Sequence, residues 1–526
     1  MERDRALRKR QPTRRQFLGA ALIGLARKTD RPVAGSFVNE AQVIGHRLRD
    51  RLPFAAPSRR VKIPVVIVGG GMAGLSAAWR LEKRGFRDFV VLEMEKQAGG
   101  NSRWGENEIS RFPWAAHYVP VPGKRAALVR ELFEEFGVLH GGQWEERDLC
   151  FSPQERLFLY GRWQYGIEPS IGLTARDREQ FQRFERRMAE FRGSGQFTIP
   201  MELGSAHADR QALALDQISI DKWLKNDGFD SPHLNWYINY ATRDDYGAPA
   251  ADVSAWAGVH YFASREPEEK GPLTWPEGNG WIVRQLLAKL GSFVQINSVA
   301  YRLEPPAPRP PRRWRVLTES TEYLAEAVIF AAPTFILPYV VEGFPPVRRF
   351  EYSPWLTANL TLDRFPREQD SEPAWDNVIY DSPGLGYVVA THQTLHTHIE
   401  RTVWTYYWAL APAAPAQGRR LLLDHDWGYW REAILNDLAR AHPDIRSCVS
   451  RIDIMRLGHA MVRPRVGFIF SEERRRLAEH TAPGLAPNLF LANSDLSGFS
   501  IFEEAQYRGV QAADRVLGLM GGRRHA

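Results

Sequence analysis

The apolar positions of the chain fall into three kinds of run. Val65-Val-Ile-Val68 and Phe89-Val-Val-Leu92 are short, β-branched and unbroken by polar residues. That pattern predicts strands buried on both faces of a parallel sheet. Spacing by three and four, as in Leu75, Ala78 and Leu81, predicts a helix with one apolar face. Phe181, Phe184, Met188 and Phe191 repeat that spacing among charges and read as core packing. Alternation in Trp404, Tyr406 and Trp408 predicts a strand with one aromatic face, either a pocket wall or, more simply, sheet core.

Near the start, Phe17–Ala26 is an apolar run of ten residues behind a strongly basic segment. A bilayer span takes about 20 residues, so this is too short to cross one. Arg14-Arg15 with Phe17-Leu18 behind them resembles a twin-arginine export signal over 1–26. A Sec signal and a disordered basic tail are the alternatives. The expected partner is then the twin-arginine export machinery, and the expected location is periplasmic or envelope-associated. Gly24-Leu25-Ala26 is a poor cleavage site before Arg27-Lys28, so membrane contact is expected only through this segment, if it is uncleaved. Residues 27–60, with Pro32, Pro53 and Pro57, read as linker.

Composition narrows the function. The 526 residues are 44% hydrophobic and 25% charged, a soluble globular profile long enough for two domains. The net charge is +7, but residues 1–60 hold 15 Lys and Arg against 5 Asp and Glu, so the remainder is slightly acidic. A nucleic-acid reader would carry its basic patch in the folded body, and that class is set aside. Cys150 and Cys448 stand far apart, which excludes a zinc ribbon and a disulfide framework. His-Glu-x-x-His clusters, nucleophile elbows and internal repeats are absent from the sequence.

Gly69-x-Gly71-x-x-Gly74 follows the first buried strand at once and opens a helix at Met72 and Ala73. The first glycine allows the tight turn, the second lets backbone approach a pyrophosphate, and the third lets helix and strand pack closely. The helix start then offers N–H groups and a positive dipole end to the phosphates. The second strand ends in Glu93, placed to accept hydrogen bonds from an adenosine ribose. Beyond it Gly99-Gly100-Asn101-Ser102 forms another glycine turn, which an ordinary nicotinamide fingerprint lacks. An exported protein cannot replenish a diffusible nicotinamide, whereas a folded protein can carry a tightly held FAD with it.

From these motifs onward the chain resembles the flavin-containing amine oxidase superfamily, which includes monoamine and polyamine oxidases, protoporphyrinogen oxidase and carotenoid desaturases. Trp275-Pro-Glu-Gly-Asn-Gly-Trp281 followed by a helix over Ile282–Leu290, Val299 in a strand over Val294–Leu303, a returning strand in Ala327–Pro333, Asn488–Asp495, and Phe502–Gly509 with the helix it opens are similar to its characteristic places. The resemblance implies an α/β fold: a Rossmann-type FAD-binding domain over 61–150, 291–345 and 450–526, intertwined with an α+β substrate domain over 151–290 and 346–449. It implies that Val299 meets the adenine, Ser494 and Asp495 the ribityl-phosphate end, and the helix start at Glu504 and Ala505 the ring or pyrophosphate. Asn101 stands where the family has Arg and Ser494 where it has Gly. No cysteine lies in the C-terminal flavin segment, so FAD is expected to be noncovalent.

The family's reaction is hydride transfer from carbon beside nitrogen to flavin, so the expected substrate is a small molecule, an amine or polyamine. Many members place a lysine beside the flavin, yet this chain has none after Lys289. The corresponding stretch, Leu356–Asp363, offers Thr and Asn, which favours an electron acceptor other than oxygen. An isoprenoid-like desaturase and a noncatalytic flavin holder stay open. Candidate catalytic residues are His117 in Trp114-Ala-Ala-His-Tyr118, His459 and Tyr406. His117 reads equally as a structural histidine. Asp244 and Asp245 either bind an amine cation or cap the helix ending near Gly247, the cap being the simpler reading.

Overall fold

A computed structural model describes residues 32–38, 41–265, 271–307, 313–367, 371–395, 398–412, 414–482 and 486–524. The proposed export signal lies outside these residues.

Strand Arg59–Val68 pairs in parallel with Phe89–Leu92 on one side and Thr321–Phe330 on the other. Val294–Gln295 extends the sheet beyond Phe89–Leu92, and Leu489–Leu491 pairs with Thr321–Phe330. The unbroken apolar run follows from this placement. Val66 and Val68 face one core while Val65 and Ile67 face another, and all four are buried. The second core is built largely by three helices, Met72–Lys83, Gly280–Leu290 and Phe502–Arg524.

The second sheet has eight strands, in the order Ala34–Phe37, Val449–Val462, Tyr352–Leu362, Thr402–Ala409, Gly386–Val389, Asp376–Ile379, Glu155–Leu159 and Arg162–Tyr165. Helices Pro415–Asp424 and Trp427–Leu438 share a core with one face, where Leu356, Leu360, Trp404 and Tyr406 are buried with Leu422, Ile434 and Leu438. Helices from 175 to 263, including Pro232–Tyr246 and Ala255–Ala263, complete this half.

Three expectations change. The segment 27–60 is no linker where it is described: Ala34–Phe37 pairs in parallel with Val449–Val462, and Gln42–Arg49 is a helix. Residues 450–462 belong to the second sheet rather than the flavin half, because Tyr352–Leu362 takes them as an antiparallel neighbour. The strand over Val294–Leu303 stops at Gln295, since Asn297 turns left-handed at φ 51° and the chain resumes as a strand only at Arg302.

Phe502–Arg524 packs on Met72–Lys83 at Gly509, where a Cβ would sit 2.2 Å from the Ala73 carbonyl oxygen. Arg80 locks the pair through two bonds to Asp514, at 2.7 and 3.1 Å. Replacing Gly509 with Ala forces these backbones apart and is expected to destabilise the fold by about 1–3 kcal/mol, read as a lower denaturation midpoint.

Candidate active site

The helix Met72–Lys83 begins where Arg59–Val68 turns through Gly69, and a Cβ on Gly74 would lie 1.9 Å from the Gly69 carbonyl oxygen. Only glycine permits this approach. The first intrahelical bond runs from Leu75 N to Gly71 O at 2.9 Å, leaving the N–H groups of Met72, Ala73 and Gly74 unpaired among the described residues at a positive dipole end. Gly71 bridges Gly99, and Gly100 closes on Gly71 with only 3.3 Å for a Cβ, so two glycine turns form one bare backbone cradle. Ser102 is buried beneath it, its N–H bonded to Gly99 O at 2.9 Å.

Glu93 is buried, and each of its oxygens accepts one backbone N–H, from Gly70 at 2.9 Å and from Glu95 at 2.8 Å. One acceptor site per oxygen is left for ribose hydroxyls. Burial raises its pKa, and those two bonds oppose the rise. Val299 lies in the loop beside this acid, where Ser298 N donates to Glu93 O at 2.7 Å. Bare backbone, free N–H groups and a half-satisfied carboxylate are the donor and acceptor set that FAD needs.

At the opposite end Asp495 is buried and heavily used. It accepts from Thr334 N and Thr334 Oγ1, both at 2.8 Å, and from the Tyr352 hydroxyl. It clamps the turn after Thr321–Phe330, beside part-buried Ser494. Asn101 is exposed and donates to Ala460 O at 2.7 Å, tying the glycine turn to strand Val449–Val462. The Ala505 N–H is not free for a ligand, because it bonds Ile501 O at 3.2 Å; donors at that helix end come from residues before it. Glu504 turns its carboxylate inward and accepts from Met201 N at 2.5 Å.

The three catalytic candidates are not brought together. His117 is packed among aromatics, 4.5 Å from the Tyr407 ring and 5.6 Å from that of Trp375, and burial lowers its pKa to about 4. His459 stacks on Phe335 at 4.3 Å, away from the cavity described below. Tyr406 is on the wrong side of its strand: its hydroxyl donates to Asp437 at 2.8 Å under the covering helices. Because strands alternate, the inward residue is its neighbour Tyr407, opposite Thr357.

A cavity of about 360 Å³ lies between the second sheet and helices Pro232–Tyr246 and Ala255–Ala263. Tyr118, Tyr240, Tyr261 and Trp375 give it aromatic walls, and Phe499 and Ile501, which lead into Phe502–Arg524, reach it from the flavin half. Four carboxylates line it: Glu155, Asp244, Asp245 and Asp376. Glu155 and Asp376 sit directly opposite on neighbouring strands, an arrangement that repels. Desolvation first, then the neighbouring acids, push Asp376 well up; desolvation and Asp245 raise Asp244 to about 7. Burial carries Asp245 to about 6, against the pull of Arg265. Glu155 is raised by burial alone. Among the described residues the carboxylates of Glu155, Asp244 and Asp245 form no ion pair.

Asp244 and Asp245 are therefore not caps. The helix is closed by Gly247 in the left-handed region, its N–H bonded to Arg243 O at 3.0 Å. Glu155, Asp376, Tyr407 and the cavity residue His260 were not singled out from sequence. An acid directly after an aromatic in Trp375-Asp376 was the only available signal.

A profile of the flavin-containing amine oxidoreductases matches residues 72–517. The chain belongs to this family. FAD is its cofactor, and its fold is that of the FAD-dependent amine oxidases. Among curated flavoenzymes, the 15-cis-phytoene desaturase of an Oncidium hybrid is 22% identical over 356 residues, 64% of this chain. An L-amino-acid oxidase of Bothrops pauloensis is 43% identical over 76 residues, 14% of this chain. The matches span 58% of the desaturase and 14% of the oxidase. Putrescine oxidase bound to putrescine superposes with a TM-score of 0.66 at 16% identity, over 87% of this chain and all of that one.

Gly74→Ala is expected to lower the denaturation midpoint and, in the protein that still folds, to leave little bound flavin, read from its visible absorbance, because the cradle cannot close. Tyr406→Phe is expected to lower stability by only about 1 kcal/mol, through one lost hydrogen bond to Asp437, which keeps Ser382 and Arg440 as partners, while leaving flavin content and substrate turnover near wild type.

Proposed function

We propose that this flavoprotein oxidises the carbon–nitrogen bond of an amine. The observation carrying this reading is the cavity in which four carboxylates stand among aromatic rings. Bound FAD supplies the hydride acceptor. Carboxylates in a poorly solvated chamber attract an ammonium group strongly, and Tyr and Trp faces add cation–π attraction. Asp244, with its pKa near that of the medium at about 7, can take a proton from the arriving ammonium and hold it on a carboxylate oxygen, leaving the amine neutral. An isoprenoid chain would cover these acids without pairing them, which is costly. No lysine follows Lys289, and in strand Tyr352–Leu362 the Thr357 hydroxyl is buried without a partner among the described residues. This favours an acceptor other than oxygen. Export by the twin-arginine route belongs to the same reading; changing Arg14-Arg15 to two lysines and locating the protein tests it.

Under anaerobic conditions one member of an amine panel is expected to bleach the flavin. If none does, the amine reading fails. Amine binding should strengthen as pH rises through about 6 to 7, where Asp245 and Asp244 ionise. Stability moves oppositely. A raised carboxyl pKa means the folded chain holds more protons than the unfolded one between the ordinary range and about 7, so stability falls as pH rises through that window. Asp244→Asn should accordingly raise the melting temperature more above this window than below it.

A further inference from the structure

Beside the acid-lined cavity lies a smaller one of about 150 Å³, with Arg125, Arg192, Arg265, Thr198 and Glu503 in its wall. Ile199, Ser264 and Arg265 belong to both walls, so the chambers are contiguous. Their charges are opposite. Arg192 donates only to backbone, to Arg265 O at 2.7 Å and Phe262 O at 2.9 Å. Arg125 likewise donates to Gly195 O at 3.0 Å. Among the described residues neither guanidinium meets a carboxylate. Arg265 is paired with Glu503 at 2.7 Å, so among the described residues the small chamber keeps an excess of positive charge. Arg125 is exposed while Arg192 and Arg265 are part-buried, which makes this the outer end.

A guanidinium held by neutral carbonyls retains its full charge, and its planar fork is oriented in advance for an oxyanion. A simple diamine reaching across both chambers would press its second ammonium against these arginines. An anion at that position meets them favourably. We infer that the substrate carries both charges: an amine held among Glu155, Asp244, Asp245 and Asp376, and, several bonds away, a carboxylate or phosphate received by Arg125 and Arg192. This inference rests on the amine reading above and sharpens it.

The test uses the flavin-loaded protein. Butyrate and propyl phosphate, which bear the anion without an amine, are titrated by calorimetry into wild type, Arg125→Gln and Arg125→Lys. Butylamine, putrescine, aminobutyrate and aminopropyl phosphate are compared by anaerobic flavin reduction. Arg192→Gln also removes two carbonyl bonds, so the Arg125 variants carry the argument. An anionic tail is expected to tighten binding about tenfold over butylamine, in keeping with a charge-assisted pair. That preference should vanish in Arg125→Gln and partly return in Arg125→Lys. The better of carboxylate and phosphate identifies the tail. The inference is overturned if butylamine or putrescine is preferred, or if Arg125→Gln weakens tailed and untailed amines equally. Should no amine reduce the flavin, the amine reading falls, while butyrate and propyl phosphate binding still decide the anion site: saturable, Arg125-dependent binding upholds it and none removes it.

Discussion

The rest of the molecule hangs on the contact between the Gly69 carbonyl and the α-carbon of Gly74. Because no side chain separates them, the helix Met72–Lys83 starts directly against the strand it leaves. Its unpaired N–H groups then face the second glycine turn, and its outer side is flat enough at Ala73 for Gly509 to seat the C-terminal helix. That helix in turn leads back through Ile501 and Phe499 to the cavity. A single backbone approach therefore underlies both the cofactor cradle and the helix that leads back to the acid-lined cavity.

The chamber works against the fold that holds it. Glu155 opposite Asp376, with Asp244 facing them, is a set of like charges that sheet pairing alone would disfavour. Proteins retain such arrangements at sites where the strain serves recognition, and stability must come from elsewhere. Here it comes from the opposite face of the same sheet, where Trp404, Tyr406 and Leu360 are wholly buried.

Much of the flavin half was legible in the sequence because glycine spacing reports backbone geometry directly. Gly69, Gly71, Gly74 and Glu93 are neighbours along the chain as well as in space. Of the acid-lined cavity only Asp244 and Asp245 were in view from sequence; Glu155 and Asp376 come from separate strands and meet them only after folding. Tyr406 shows the limit within one strand. Alternation identifies two faces, but which face meets the cavity depends on what covers the other, and the helices Pro415–Asp424 and Trp427–Leu438 decide that. The helix end at Gly247 shows another: a left-handed glycine closes it, leaving the adjacent acids free for other work.

Strand Ala34–Phe37 adds one consequence. Its only sheet neighbour among the described residues is Val449–Val462, from far along the chain, and at Gly35 the two backbones approach so closely that a Cβ would stand 1.8 Å from Ile452 O. During synthesis this early segment waits for nearly the whole polypeptide before it has anything to pair with. Its docking therefore waits until Val449–Val462 has been made and can join the second sheet.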